Sequence, residues 1–229
     1  MTATKHTPEL TAPVEDYLKV IFELETTGRA VGTNEIAAQL EIAAPSVTAM
    51  VRRLADHGLI KYERYRGARL TEAGRRAALR TIRRHRVIEA YLTAALGYPW
   101  DRVHEEAERL EHAASDELID RMAAAIGEPT TDPHGAPIPT REGELRERAL
   151  VPLSSLAEGE EARVERVGDQ NADRLRYLAE LGIVPGVRVQ VTERDPFEGP
   201  ITLLVEDERR TIGAALAGGV FVARAAAGR

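Results

Sequence analysis

Three of the chain's six histidines fall, with glutamates, on two short stretches. His85 and Glu89 stand four apart, and His104, Glu108, Glu111 and His112 follow at i, i+4, i+7 and i+8. Helical residues three and four apart are neighbours at ~5–6 Å, so each set reads as one helix face, and two antiparallel helices can bring such faces around one or two metal ions. With no cysteine in the chain, thiolate ligands, disulfides and cysteine nucleophiles are excluded together, which leaves imidazole, carboxylate, thioether and backbone oxygen as donors. Solvated acids and histidines paired with nearby arginines are the plainer reading of any one of these residues. That reading accounts poorly for three histidines on two such faces.

A second concentration of chemistry is basic. The net charge of −6 argues against nucleic-acid binding, yet residues 52–86 carry twelve Lys or Arg against three acids (Asp56, Glu63, Glu72). Cations gathered on one segment can neutralise phosphates whatever the total charge. In front of them, Pro45, Ser46 and Thr48 would occupy the first turn of a helix, where a recognition helix meets base edges. Arg52, Arg53, Lys61, Arg64, Arg66 and Arg69 would flank it as phosphate contacts.

The elements that must position these groups follow from periodicity and punctuation. Val14, Tyr17, Leu18, Ile21 and Leu24 repeat at helical spacing after Pro13. Thr33 is placed to cap a short helix over 34–40, and Pro45 starts another that runs to His57-Gly58, which together make a helix-turn-helix. Strands over 59–64 and 68–70 around Arg66-Gly67 would form a wing. Thr71 caps a long helix from Glu72 to Leu96, Asp101 the next, and Ser115 a third that ends at Gly127. Four prolines and Gly135 between 128 and 141 read as a linker. Alternating segments at 162–164, 187–191, 201–205 and 220–222, interrupted by one helix over 172–181, suggest a small SH3-like β-barrel. The predicted architecture is mainly α with α+β parts: a winged helix over 1–74, a helical metal-binding and dimerisation domain with its Pro-rich linker over 75–141, and an SH3-like domain over 151–226. No stretch is long and apolar enough for a membrane span and the N-terminus has no signal-peptide pattern, so a cytoplasmic protein without membrane contact is expected.

The segments DYLKVIFELE (16–25), PSVT (45–48), LTEAG (70–74), HRVIE (85–89) and VHEEAERLEH (103–112) together resemble the diphtheria-toxin-repressor family of metalloregulators, including its manganese-sensing branch. DPHGAPIP (132–139) is similar to that family's linker, and LAELGIVPG (178–186) to its SH3-like domain. The resemblance implies a metal-dependent, homodimeric repressor of metal-homeostasis genes on a palindromic operator, with two metal sites per subunit. Asp16, Glu108, Glu111 and His112 would form the primary site, and His85, Glu89 and His104 the second. Carboxylates at 16 and 108, where iron sensors carry Met and Cys, point to Mn²⁺, with Fe²⁺ the alternative, and oxygen donors suit Mn²⁺ better than soft sulfur. Lys19 departs from the pattern, standing where short manganese sensors have another glutamate. His134 and a residue among Asp169, Gln170, Asn171 and Asp173 are candidate additional ligands. Two rivals remain: a helical-bundle carboxylate-bridged metalloenzyme, which would need a second Glu-x-x-His helix, and a winged-helix sensor of an organic ligand.

Overall fold

The computed structural model describes residues 10–25, 28–146, 148–168 and 171–224. They fall into two compact units, one drawn from 1–84, 111–114 and 139–145, the other from 85–110, 115–138 and 146–229. Residues 111–114 and 139–145 thus group with the N-terminal segment.

In the first unit, α1 (Ala12–Leu24) begins with Pro in its first turn, where the missing N–H costs nothing. It turns Val14, Tyr17, Leu18 and Ile21 into a core shared with Val47, Val51 and Leu54. Helix α2 (Thr33–Gln39) is capped by Gly32 rather than Thr33, because the Glu35 carboxylate reaches back to accept the Gly32 N–H at 2.9 Å. A turn through Glu41, which has positive φ, leads to α3 (Ala44–Asp56), and α2 and α3 form the expected helix-turn-helix. The wing pairs β1 (Ile60–Glu63) with β2 (Gly67–Leu70) antiparallel, and Val31 adds a bridge to Ala68. Gly67 is required there: its φ is 104°, and a Cβ would lie 2.5 Å from the Val31 carbonyl oxygen.

Helix α4 (Glu72–Leu96) has the predicted limits and supplies residues to both units. Thr71 Oγ1 accepts the Gly74 N–H at 3.1 Å, the predicted cap. In the second unit, α5 (Val103–Leu110) is short, and Asp101 does not cap it; its carboxylate takes Arg176 at 3.1 Å instead. Helix α6 (Asp116–Ala125) is capped by Ser115, whose Oγ accepts from Leu118 N–H. The C-terminal part is a six-stranded antiparallel sheet of order β3-β8-β4-β5-β6-β7. Its strands are β3 (Val151–Pro152), β4 (Glu161–Val167), β5 (Arg188–Arg194), β6 (Ile201–Val205), β7 (Glu208–Ile212) and β8 (Val220–Arg224), with α7 (Ala172–Glu180) and α8 (Ala214–Gly218) between them. Alternation places Val164, Val189, Val191, Leu203 and Val222 in one core with Leu175 and Leu178 of α7, and Trp100 packs against it. No helix among the described residues is long and apolar enough to cross a membrane.

Candidate metal centres and DNA-binding face

Three groups of imidazoles and carboxylates have ligand atoms within 4.8 Å of one another: Asp16, Glu111 and His112; His85, His104 and Glu108; and Glu89, Asp132 and His134. The first lies in the first unit and the other two in the second.

In the first group, Asp16 comes from α1, whereas Glu111 and His112 lie in the turn after α5. Because α5 ends at Leu110, residues 104, 108, 111 and 112 do not continue one helix face as their spacing suggested. The turn carries Glu111 and His112 to Asp16, while Glu108 stays one turn from His104. His112 Nε2 is 2.8 Å from Asp16 Oδ1 and 3.4 Å from Glu111 Oε1. Burial alone would lower the His112 pKa, but the Glu15 hydrogen bond and the charges of Asp16, Glu111 and Glu15 raise it above its ordinary value. Two oxygen donors and one imidazole fit a divalent cation. One departure qualifies the fit: Lys19 Nζ donates to both oxygens of the fully buried Glu111 at 3.1 Å, so an ion that takes Glu111 must share these oxygens with the ammonium or displace it. The lysine that breaks the resemblance is thus a buried cation within the cluster.

In the second group, His85 and His104 converge with 3.1 Å between Nε2 and Nδ1, and Glu108 Oε1 is 3.7 Å from a nitrogen of each. Glu108, assigned with Asp16 on resemblance, is thus grouped with His85 and His104.

Glu89, which faces both histidines, also belongs to the third group. Its Oε1 is 3.0 Å from His85 Nε2 and 3.4 Å from His104 Nδ1, and its Oε2 is 3.8 Å from His134 Nδ1. Burial would raise the Glu89 carboxyl, yet hydrogen bonds from His104 and His85, together with the facing His134 imidazole, hold it far below the usual carboxylate range. Asp132 goes the other way, raised by burial and by the Glu89 charge. For His134 the Glu89 bond and charge overcome burial and raise the pKa.

The linker histidine is not solvated as a linker residue would be; it is buried, its Nε2 bonds the Trp100 carbonyl at 2.8 Å, and its ring stacks on Trp100. With Nε2 donating, Nδ1 is turned to Glu89. A gap of 3.8 Å suits two ligands of one ion at about 2.0–2.2 Å each. Asp132 shapes this segment by accepting the N–H groups of His134 and Ala136, each at 2.9 Å. Gly135 lets it lie against β4, since a Cβ there would meet the Glu165 carbonyl oxygen at 1.9 Å, and Val167 N–H donates to the His134 carbonyl at 2.8 Å.

Sequence reasoning missed Asp132, Glu15 and Arg84. Asp132 stood in a quoted motif, where an Asp two before His134 was a signal; Glu15 and Arg84 had none, being ordinary charges flanking apolar residues. Asp173 is no part of any group: it is exposed and pairs with Arg176 at 3.2 Å. Asp169 and Gln170 lie outside the described residues, and Asn171 caps α7 through its side chain.

On α3, Pro45, Ser46, Arg52 and Arg53 are exposed opposite buried Val47, Val51 and Leu54. Thr48 is half-buried and its hydroxyl donates back to Ala44, so a methyl rather than a free hydroxyl is offered to a groove. In the wing, Arg64 lies over the Tyr65 ring and Arg66 pairs with Glu63 at 3.0 Å, both exposed. One face therefore presents small groups flanked by guanidiniums, the layout of groove and phosphate contacts.

A winged helix with such a face, continuous in sequence with helices that gather buried imidazoles and carboxylates, defines a metal-responsive DNA-binding regulator. Residues 9–68 match "Iron dependent repressor, N-terminal DNA binding domain", residues 71–140 "Iron dependent repressor, metal binding and dimerisation domain", and residues 151–224 the FeoA domain. The chain is 33% identical over 217 residues to the iron-dependent repressor IdeR of Mycobacterium leprae, covering 89% of this chain and 94% of that one. It is 30% identical over 222 residues to the diphtheria toxin repressor of Corynebacterium diphtheriae, covering 89% and 97%. Among solved structures, it is similar to a manganese-dependent transcriptional repressor in complex with manganese, with TM-score 0.87, 36% identity and coverage of 92% of this chain and 99% of that one. The chain belongs to the iron-dependent repressor family, metal-dependent DNA-binding transcriptional repressors rather than enzymes.

Proposed function

We propose that this protein is a manganese-responsive, homodimeric cytoplasmic repressor of metal-homeostasis genes, acting on a palindromic operator. Residues 1–74 would bind DNA, 75–141 would hold metal and dimerise, and 151–226 would serve as the SH3-like domain. The observation that carries the metal assignment is the donor chemistry: in all three groups the ligands are carboxylate oxygens and imidazole nitrogens, with no sulfur. Mn²⁺ lies lowest in the divalent affinity order, so a site for it relies on anionic oxygen and geometry rather than on ligand softness. Likeness to manganese-dependent repressor structures supports the same reading; Fe²⁺ is the alternative, supported by the iron-dependent relatives.

The arrangement supports a reading of two ions per subunit, one at Asp16, Glu111 and His112, the other where Glu89 joins His85, His104 and Glu108 on one side and His134 and Asp132 on the other. Bound there, the ions would supply positive charge to sites where carboxylates outnumber fixed cations. The chain's own part is linkage. Asp16 sits on α1, which packs on the helix-turn-helix core, so closing Asp16 onto Glu111 and His112 fixes α1 and favours one arrangement of the DNA-binding element. Exposed Leu96, Leu110 and Leu118 offer apolar surface for the dimer contact.

The test is selection of binding sites from random duplex DNA, followed by anaerobic titration of Mn²⁺, Fe²⁺, Co²⁺ and Zn²⁺. Inverted-repeat sites bound at lower free Mn²⁺ than the protein requires of Fe²⁺, scaled to cellular availability, support the proposal. Metal-independent DNA binding would overturn it.

A further inference from the structure

Glu15 lies next to Asp16 on α1 and is buried. Its two oxygens have different partners: Oε1 accepts Arg84 Nη1 at 3.1 Å, and Oε2 meets His112 Nδ1 at 2.7 Å. We propose that Glu15, anchored by Arg84, is the positioning residue that holds His112 in the tautomer able to bind metal. The inference rests on reading Asp16, Glu111 and His112 as a metal site.

Arg84 is buried and its guanidinium can only donate, so the Glu15 carboxylate that it faces is the acceptor in this contact. His112 Nδ1 must therefore be the donor. While the ring is charged, Nε2 donates in turn to Asp16 Oδ1 at 2.8 Å, with Glu111 Oε1 at 3.4 Å; the neutral ring that takes a metal keeps its proton on Nδ1 against the anchored Glu15 and offers the Nε2 lone pair on the side of Asp16 and Glu111. The ring is held on one edge by Glu15 and presents the other edge to the two carboxylates. Metal-bound histidines use such a carboxylate on the far nitrogen to fix ring orientation and raise basicity, and losing it costs about 10–100-fold in affinity. Glu111 is supported in parallel by Lys19. Two of the three donors are thus each held by a buried charged group, and the Arg84 contact brings α4 into the support of a site formed by α1 and the 111–114 turn.

A merely structural ion pair between α1 and α4 is the competing account, and Glu15→Gln separates the two. In that variant Arg84 donates to the carboxamide oxygen, which leaves the NH₂ group facing Nδ1. Nδ1 must then accept, the proton moves to Nε2, and the lone pair points away from Asp16 and Glu111. The imidazole ¹⁵N spectrum reads the tautomer directly. Wild-type chain, metal-free above the histidine range and again loaded with Cd²⁺ as a diamagnetic probe, should show His112 protonated at Nδ1; Glu15→Gln should show the Nε2–H form. Mn²⁺ titration, followed by paramagnetic broadening of the His112 ring signals, should half-saturate at about 10–100-fold higher concentration in Glu15→Gln. Arg84→Lys, which keeps the cation, should stay near wild type.

An Nε2–H His112 in the wild type would overturn the proposal without any variant needing to fold. So would a Glu15→Gln chain that binds Mn²⁺ as tightly as wild type while Asp16→Ala binds it weakly, a result that spares the site itself. If Asp16→Ala also leaves the broadening unchanged, the metal site fails and this role fails with it.

Discussion

Lys19 and Glu111 form a buried pair whose value depends on what else the carboxylate holds. With both side chains almost fully covered, replacing Lys19 by Met removes the ammonium that faces the buried Glu111 carboxylate. The metal-free protein should then lose about 3–5 kcal/mol of stability, the usual cost of breaking a buried ion pair from one side. Mn²⁺ should restore part of it, because the ion takes over the charge that the ammonium supplied. Urea unfolding with and without Mn²⁺ checks this, and a Lys19→Met chain as stable as wild type without metal would show that Glu111 is not held by the lysine in solution. Selectivity is decided at the same scale. Asp16→Met with Glu108→Cys places sulfur in two of the three groups, so it should weaken response to Mn²⁺ more than to Fe²⁺ or Co²⁺. An operator-binding series that keeps the wild-type metal ranking would remove these positions from the account of selectivity.

At the scale of elements, α3 and the linker each have one consequence. Arg52 and Arg53 are exposed on α3 beside the small residues of its first turn. Replacing either by Ala should weaken DNA binding across sequences and reduce the slope of log K against log salt by about 1, the signature of one lost phosphate contact. Unchanged slopes in both would place these side chains off the backbone. The linker behaves as a built element, because Gly135 presses it onto β4 and Asp132 ties its turn. Gly135→Ala puts a methyl into the Glu165 carbonyl at a φ of 86°, so the segment must lift and carry His134 away from Glu89. Calorimetry should show a weakened second Mn²⁺ with the first retained; two intact binding steps would mean that His134 does not take part.

For the whole molecule the imidazoles set a pH dependence. His112 and His134 are both raised above the ordinary 6.5, each because neighbouring carboxylates outweigh burial. A raised histidine contributes stability in full below its unfolded pKa and loses it as pH climbs through the folded value. Asp132, raised by burial and by the Glu89 charge, acts in the same direction. Glu89 is lowered, so its contribution is present above the ordinary 4.5 and fades only in acid, outside the neutral window. The metal-free chain should therefore lose stability as pH rises from about 6.5 upward. Metal binding displaces protons from the same rings, so Mn²⁺ affinity should rise over that interval. Thermal unfolding between about pH 6 and pH 8 should show the Tm gap between loaded and free protein widening with pH; a narrowing gap would mean that these histidines are not ligands.

The residues themselves, by type and order, carried the winged helix, the span of α4, the alternating strands and most members of the three imidazole and carboxylate groups, because helical and strand periods and capping chemistry are local and survive in a linear reading. What they could not carry is who meets whom. Glu108 and Glu111 are three residues apart, and only the end of α5 at Leu110 sends one to His85 and the other to Asp16. Lys19 reads as a missing ligand until Glu111, 92 positions away, closes on it. His134 reads only as one candidate ligand within a linker until Trp100 and β4 bury it. Glu15 and Arg84, separated by 69 residues, carry no local signal at all. Each of these depends on a long-range contact that fixes both the burial of a charge and the partner that makes burial tolerable, and that information exists only once the chain has folded.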